Sequence, residues 1–279
     1  MFTLYCLVDN NALDNSFHAE HGLSFAIATS AGQVLFDTGQ SGKVLLHNAA
    51  RLGLDLHRID ALALSHAHYD HTGGLEAFLQ NSRGGIPLHA HPDLFRERFS
   101  AKDGQPRGIG LRMPQADLAR RTILKLSAEP DQILPGIWTT GEITPRTEFE
   151  GRSRHHYIRI NEEWQPDPYR DDMALVLEAR SGLILVCGCC HAGLLNTLAH
   201  VQRIFPRKNI AAILGGAHLA QVDPTDLEHT IEVLRTVDGG ATPSLYLNHC
   251  TGERALAELR GAFGEKAHAC PAGTVLTFE

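Results

Sequence analysis

A histidine-rich segment in the first third of the chain constrains its fold and chemistry more than any other feature. Residues 65–74 read SHAHYDHTGG and place His66, His68, Asp70 and His71 directly after a short apolar run. Neutral imidazole and carboxylate groups are ligands for divalent zinc, iron and manganese. If the apolar run is a strand that ends here, the loop aims the first two histidines at one ion and the last two side chains at a neighbour. The segment therefore predicts a metal site, and a solvated loop that is merely rich in histidine is the alternative.

Three later apolar runs also end in residues that can bind a metal. They are residues 183–191 (LILVCGCCH), 213–218 (ILGGAH) and 245–252 (LYLNHCTG). A single histidine at a strand end is more often structural than a ligand. Loops at the ends of neighbouring strands converge on one rim of a sheet, so three such histidines beside the first segment favour a shared site. The candidates are His191, His218 and His249.

Strand and helix signals alternate in both halves of the chain, and each half begins with a hairpin pattern. The pattern predicts an α/β (α+β) protein with two β-sheets, helices outside them and two similar halves. We expect one domain over residues 1–279. Residues 92–130 and 144–172 are rich in Arg, Gly and Pro with weak hydrophobic periodicity, which predicts insertions or lid segments over a site.

Composition excludes several classes of protein. A formal net charge of −7 argues against general affinity for nucleic acid or for anionic membranes. No apolar stretch has the length of a membrane span, and the N-terminus shows no basic and apolar regions of a signal peptide. Three of the six cysteines crowd beside His191 instead of spacing out as a disulfide framework. We therefore expect a cytoplasmic protein with reduced thiols, and the sequence does not indicate its oligomeric state.

The chain resembles the metallo-β-lactamase superfamily. Residues 65–74 match the hallmark motif of that superfamily, and residues 36–39 (FDTG) match its upstream Asp-x-Gly turn. Residues 187–193, 215–219 and 248–252 resemble one branch more specifically. That branch consists of proteins like 7,8-dihydropterin-6-methyl-4-(β-D-ribofuranosyl)-aminobenzene-5′-phosphate synthase.

The resemblance implies an αββα four-layer sandwich with one or two divalent ions on the rim between the sheets. Zinc is the first choice, with manganese and iron as alternatives. By the same resemblance, one metal is bound by His66 and His68. A second metal is bound by Asp70, His71 and His249, and His191 supplies the remaining imidazole.

The chain departs from the superfamily pattern at two ligand positions. The usual Gly-His-Thr-x-Gly turn has no histidine in the matching residues 140–143, and the usual bridging aspartate is replaced in Gly188-Cys189. Three interpretations stay open: Cys189 bridges two metals or ligates one as a thiolate, Glu142 lies near the metal, or the site holds a single tight metal. This departure also argues against ordinary β-lactam hydrolysis.

Three residues have candidate roles beside the ligand shell. Asp70 is expected to act as a ligand and as a proton acceptor. Asp37 either orients a histidine through its free ring N–H or caps a turn. His218 either donates to a substrate oxyanion or leaving group, or is a buried histidine bonded to backbone.

The resemblance implies a metal-dependent hydrolase or transferase acting on a small phosphorylated, pyrophosphate or ester substrate. A pterin-forming condensation, phosphodiester cleavage, lactone opening and thioester hydrolysis all use such a centre. The Arg-rich and aromatic residues of 92–130 and 144–172 suit an anionic or ring-bearing substrate. A non-catalytic metal- or ligand-binding member of the fold remains the alternative from another class.

Overall fold

The computed structural model describes residues 1–148, 150–237 and 241–279. The helices in these residues are α1 (Lys43–Arg51), α2 (Tyr69–Thr72), α3 (Leu75–Gln80), α4 (Gln115–Arg121), α5 (Leu194–Ile204), α6 (Pro224–Thr236) and α7 (Glu253–Phe263). The strands are β1 (Phe2–Val8), β2 (Ser24–Thr29), β3 (Gly32–Phe36), β4 (Ala61–Ala63), β5 (Pro87–Ala90), β6 (Arg98–Ser100), β7 (Arg107–Gly108), β8 (Ile123–Leu126), β9 (Asp131–Leu134), β10 (Ile137–Thr139), β11 (His156–Ile160), β12 (Glu163–Pro166), β13 (Ala174–Ala179), β14 (Gly182–Cys187), β15 (Ile210–Gly215), β16 (Ser244–Leu247), β17 (Ala267–Ala269) and β18 (Val275–Phe278). No helix in these ranges combines the length and apolar character needed to cross a membrane.

Two large sheets share one pairing pattern. One runs β18-β1-β2-β3-β4-β5-β8 and the other runs β9-β10-β13-β14-β15-β16-β17. In each sheet the first four strands pair antiparallel, and three parallel pairs follow. The parallel strands are joined through helices, as parallel pairing requires. The expectation of two similar halves is met in this repeated order.

Side-chain alternation along the strands builds the layers. Val34 and Phe36 of β3 pack between the two sheets with Ile184 and Val186 of β14, whereas Leu35 packs on the outer side. That period of two leaves each sheet with two apolar faces. Helices α1 and α3 cover the first sheet, and α5, α6 and α7 cover the second. The predicted αββα sandwich is confirmed.

The segments 92–130 and 144–172 meet in a small third sheet. Their strands pair in the order β12-β11-β6-β7. Strand β8, which also lies in the first segment, instead joins the first large sheet. The descriptions of these segments as insertions or lids, and of the chain as one domain, stay predictions.

A buried arginine fastens the small sheet to the histidine-rich loop. The side chain of Arg98, at the start of β6, is fully buried and pairs with Asp93, Asp167 and Asp171. The other oxygen of Asp171 accepts a hydrogen bond of 2.8 Å from the backbone N–H of Ala67, in the middle of the loop. The carboxylates supply the partners that a buried guanidinium requires.

The parallel strands end at one level on the rim between the sheets. Phe36 pairs with Ala63 in the first sheet, and Cys187 pairs with Gly215 in the second. Gly215 in turn pairs with Leu247. The loops that follow these strands therefore emerge side by side, and they carry the residues that the sequence singled out.

Candidate metal centre

Imidazole rings from three loops converge on this rim. The Nε2 atom of His66 lies 3.1 Å from Nδ1 of His68, and the Nε2 atoms of His71 and His249 lie 3.2 Å apart. The ring centroids of His66 and His191 are 5.0 Å apart. All five side chains are buried. The structure thus brings together the five histidines that the sequence and the resemblance pointed to.

Asp37 and Ser65 fix the tautomers of two of these rings. The carboxylate of Asp37 accepts hydrogen bonds from the backbone N–H and the hydroxyl of Ser65 and from Nδ1 of His71, each at 2.7 Å. Because the hydroxyl proton of Ser65 goes to Asp37, its oxygen accepts from Nδ1–H of His66 at 2.8 Å. In their neutral forms His66 and His71 therefore each carry a lone pair on Nε2, which faces the cluster.

The tautomers of His249 and His191 are fixed in the same way, with the ring proton on Nδ1. Nδ1 of His249 donates to Oδ1 of Asn10 at 3.0 Å, and Nδ1 of His191 donates to the carbonyl of Gly151 at 3.0 Å. The backbone N–H of His249 donates to Asp9, which holds this residue in a left-handed conformation at φ 51°. Both acceptors are oxygens that cannot donate, so both Nε2 atoms again carry lone pairs.

Facing lone pairs repel each other unless a cation or a proton lies between them. In tetrahedral coordination with metal–nitrogen bonds of about 2.0–2.1 Å, ligand nitrogens stand about 3.3 Å apart. The separations of 3.1 Å at His66 and His68 and 3.2 Å at His71 and His249 match that spacing. The donor set and its spacing therefore fit a divalent ion of the zinc type.

Cys189 belongs to two groups of potential ligands at once. Its thiol groups with His66 and His191, and it also groups with His71 and His249. The Sγ atom lies 3.2 Å from Nε2 of His71. Burial raises the pKa of this thiol well above its usual range, so a thiolate here requires a nearby cation.

The neighbouring glycine explains how the thiol reaches this place. A Cβ atom at Gly188 would lie 2.2 Å from the hydroxyl of Ser65, so only glycine lets the strand end approach the loop. Cys189, which follows Gly188, therefore lies between the two groups of histidines.

Asp70 supplies the negative charge of the cluster. Its Oδ2 lies 3.4 Å from Nε2 of His249, 3.8 Å from Nε2 of His71 and 3.1 Å from Nε2 of His21. Burial acts to raise the pKa of Asp70, but these three imidazoles outweigh it and hold that pKa well below its usual range. With His249, His21 and Asp70 form a further group that could hold a metal.

The pKa shifts of the rings show where positive charge is favoured. Burial lowers the pKa of His66 and of His191 well below the usual value, which keeps both rings neutral. Burial also opposes protonation of His71, but Asp37 and Asp70 together raise its pKa to about 9. A cation is therefore stabilised most on the side of the cluster that faces Asp37 and Asp70.

The remaining candidates lie in different surroundings. The ring of His218 is 4.5 Å from that of His191, and burial lowers the pKa of His218 to about 4. Glu142 forms a two-point ion pair with Arg170 and lies 3.4 Å from Nε2 of His91. Among the described residues, Glu142 is in none of the groups that could hold a metal.

Three residues at the site were not predicted from the sequence. His21 is half exposed yet contacts Asp70, and Tyr169 stacks on His191 at 4.4 Å. Asn10, which orients His249, follows strand β1 directly. A polar run at a strand end was the one signal that could have identified it.

Comparisons with known proteins agree with this geometry. A profile described as the Metallo-beta-lactamase superfamily matches residues 19–158. The chain is 30% identical over 287 residues to 7,8-dihydropterin-6-methyl-4-(beta-D-ribofuranosyl)-aminobenzene-5′-phosphate synthase of Methanocaldococcus jannaschii, covering 99% of this chain and 96% of that protein. The crystal structure of Tm1679, described as a metal-dependent hydrolase of the beta-lactamase superfamily, superposes with a TM-score of 0.85 at 26% identity and covers both chains fully. Zn(2+)-bound PqqB from Methylobacterium extorquens covers 99% of this chain and 100% of its own at a TM-score of 0.57 and 12% identity, which shows a likeness of fold.

Proposed function

The chain belongs to the metallo-β-lactamase superfamily, and on that premise we propose that it is a metal-dependent hydrolase or transferase. Its substrate is a small phosphorylated, pyrophosphate or ester compound. The observation that carries this proposal is the set of four rings whose Nε2 atoms face the cluster, each held by an oxygen acceptor on the opposite ring nitrogen. In the neutral rings these atoms carry lone pairs, and lone pairs that face each other are unfavourable unless a metal ion or a proton lies between them.

The proposed ligands divide into two groups around Cys189. Zinc is the first choice because imidazole, carboxylate and thiolate together form its usual ligand set, with manganese and iron as alternatives. A divalent ion bound here would lower the pKa of a water molecule and stabilise negative charge on substrate oxygens. One group comprises His66, His68 and His191, and the other comprises Asp70, His71 and His249.

Two side chains have proposed roles in proton transfer. The low pKa of Asp70 keeps its carboxylate ionised at neutral pH, and we assign it the role of hydrogen-bond and proton acceptor for the attacking water, whose own pKa a bound divalent ion would lower. His218 is a neutral ring beside His191, and it can donate an N–H to an oxygen of the substrate or of the leaving group.

A finer proposal concerns the reaction itself. Identity of 30% across nearly the whole length of the methanogen synthase supports a condensation of a dihydropterin pyrophosphate with an aminobenzene carrying a ribofuranosyl 5′-phosphate. The amine nitrogen forms a bond to the carbon that carries the pyrophosphate, the C–O bond to that group breaks, and pyrophosphate and the amine proton are released. Phosphodiester cleavage and lactone opening are the hydrolytic alternatives. A binding protein without turnover is the alternative from another class.

Elemental analysis and assays on one purified protein separate these classes. The proposal expects a stoichiometric divalent metal and turnover of at least one of bis-p-nitrophenyl phosphate, a lactone, a thioester and the pterin–arylamine pair. It also expects His68→Ala to abolish that turnover. Bound metal without turnover of any substrate, in wild type and His68→Ala alike, would leave the binding-protein alternative standing.

A further inference from the structure

Two aromatic side chains outside the ligand groups lie against the histidine cluster. His156 begins strand β11 of the small sheet, and its ring stands at 87° to that of His68 with 5.1 Å between centroids. Its centroid is 6.0 Å from that of His191. Tyr169 lies parallel to His191, with 3° between the ring planes. The segment 144–172 thus contributes one wall of the site.

A chain of hydrogen bonds fixes the tautomer of His156. The backbone N–H of Ser153 donates to the hydroxyl oxygen of Tyr169 at 3.1 Å. The Tyr169 hydroxyl and Nδ1 of His156 are 3.0 Å apart. Among the described residues, Nδ1 of His156 is the one hydrogen-bond partner of this hydroxyl that can accept its proton, so the hydroxyl donates to Nδ1. The ring proton of the neutral histidine must therefore sit on Nε2.

That Nε2–H is available for a ligand. Among the described residues, the side-chain hydrogen bond of His156 is the one at Nδ1, and His156 is absent from the groups that could hold a metal. A donor held in one tautomer can bind an acceptor without first changing tautomer.

The position of Tyr169 is itself strongly determined. Its backbone adopts a left-handed conformation at φ 48°, and its carbonyl accepts from the guanidinium of Arg146 at 2.6 Å. Its backbone N–H donates to Asp167 at 2.8 Å. A strained, non-glycine residue persists only where its surroundings hold it, and here they hold the hydroxyl that orients His156.

We propose that His156 binds substrate by donating Nε2–H to an anionic oxygen of a phosphate or pyrophosphate group, with Tyr169 as its positioning residue. The inference rests on the proposed function, because it places the anionic part of the substrate between His156 and the histidine cluster. It assigns the wall built by residues 144–172 to recognition of charge. The ligands of the metal are then left to act on the bond that breaks.

The first test measures binding of inorganic phosphate to the metal-loaded protein by calorimetry. A hydrogen bond to a charged acceptor is worth a factor of about 10 to 100 in affinity. We expect His156→Leu to raise the Kd for phosphate by about that factor, with metal content unchanged. His156→Gln keeps an N–H near the Nε2 position and should restore most of the affinity. His155→Gln, at the exposed neighbouring histidine, is the matched control and should bind as wild type does.

The second test addresses Tyr169. In metal-free protein labelled with ¹⁵N-histidine, the signals that His156→Gln removes should show a protonated Nε2 and an unprotonated Nδ1. Tyr169→Phe should abolish this preference and weaken phosphate binding. It should have no further effect when combined with His156→Gln, because the amide needs no tautomer.

Three results would overturn the proposal. They are the absence of saturable phosphate binding by wild type, equal phosphate affinity in wild type and His156→Leu, or a protonated Nδ1 in wild type. A parallel loss of metal from His156→Leu would assign the residue a structural role instead. If wild type binds phosphate as expected yet turns over no substrate, the proposed function fails while this inference stands.

Discussion

Replacing Asp37 with asparagine tests whether the oxygen acceptors behind the histidines prepare the site for metal. The carboxylate receives three hydrogen bonds, from two donors of Ser65 and from Nδ1 of His71, and its side chain is fully buried. An amide of the same shape offers one acceptor and one donor group. In either orientation its N–H₂ therefore points at a donor.

The size of the effect follows from these contacts. One buried donor left without an acceptor costs about 1–3 kcal/mol, so we expect the free energy of unfolding of the metal-free protein to fall by that amount. Loss of the group that orients a ligating histidine lowers metal affinity about 10- to 100-fold. Because His71 then has no fixed tautomer, the two losses should appear together in Asp37→Asn.

Zinc affinity measured by competition with a chromogenic chelator, and urea denaturation of the metal-free protein, give the two quantities. Asp103→Asn is the matched control, since Asp103 pairs with Arg107 on the surface and should change neither quantity. Asp37→Asn with unchanged zinc affinity would refute the reasoning, even if the protein were less stable. In that case Asp37 would cap the turn instead of orienting His71.

Three further predictions concern stability. Arg98→Met should cost about 3–5 kcal/mol in urea denaturation, because it leaves buried carboxylates without their cation; an unchanged midpoint would contradict the role assigned to that network. Burial raises the pKa of Glu150 from 4.5 to about 7, so the folded state binds more protons than the unfolded state between these values. Relative to Glu150→Gln, the stability of wild type should therefore fall as pH rises from 4.5 to 7, and a flat or rising difference in pH-dependent denaturation would contradict this. Removal of metal by a chelator should lower thermal stability, since free zinc at 100 times its Kd contributes about 2.7 kcal/mol, and equal melting temperatures with and without zinc would count against a bound ion.

The buried strands could be predicted from the sequence because their pattern is local. Ser24–Thr29 and Ser244–Leu247 are strands, and Leu194–Ile204 is a helix. Each is an apolar run or an amphipathic stretch between turn residues, so its structure depends little on distant partners. The histidine-rich loop could be placed at the end of a strand for the same reason, because the apolar run before it is also a local pattern.

The small sheet could not be predicted in this way. Strands Arg98–Ser100 and His156–Ile160 pair across more than fifty residues, and Glu163–Pro166 is exposed along its length. Their residues show no clear alternation, because the sheet has little apolar core of its own. The contribution of His156 to the site depends on that distant pairing, so no local signal marked it.

The partners of the histidines were predictable only in part. Asp37 stood in a motif that suggested an orienting role, and the structure places its carboxylate on His71. Glu142 stood where a ligand was missing, yet its carboxylate is engaged by Arg170. Sequence spacing indicates which residues can reach a rim, but competing ion pairs decide which of them are free to bind a metal.

X-ray absorption spectroscopy of the zinc-loaded protein tests the central claim most directly. The account predicts zinc bound by nitrogen or oxygen at about 2.0–2.1 Å together with a sulfur scatterer at about 2.3 Å. The sulfur contribution should vanish in Cys189→Ser, whereas Cys187→Ser, at a buried thiol outside the ligand groups, should retain it. A stoichiometric zinc site with the same sulfur signal in Cys189→Ser, or a protein that binds no zinc, would contradict the account.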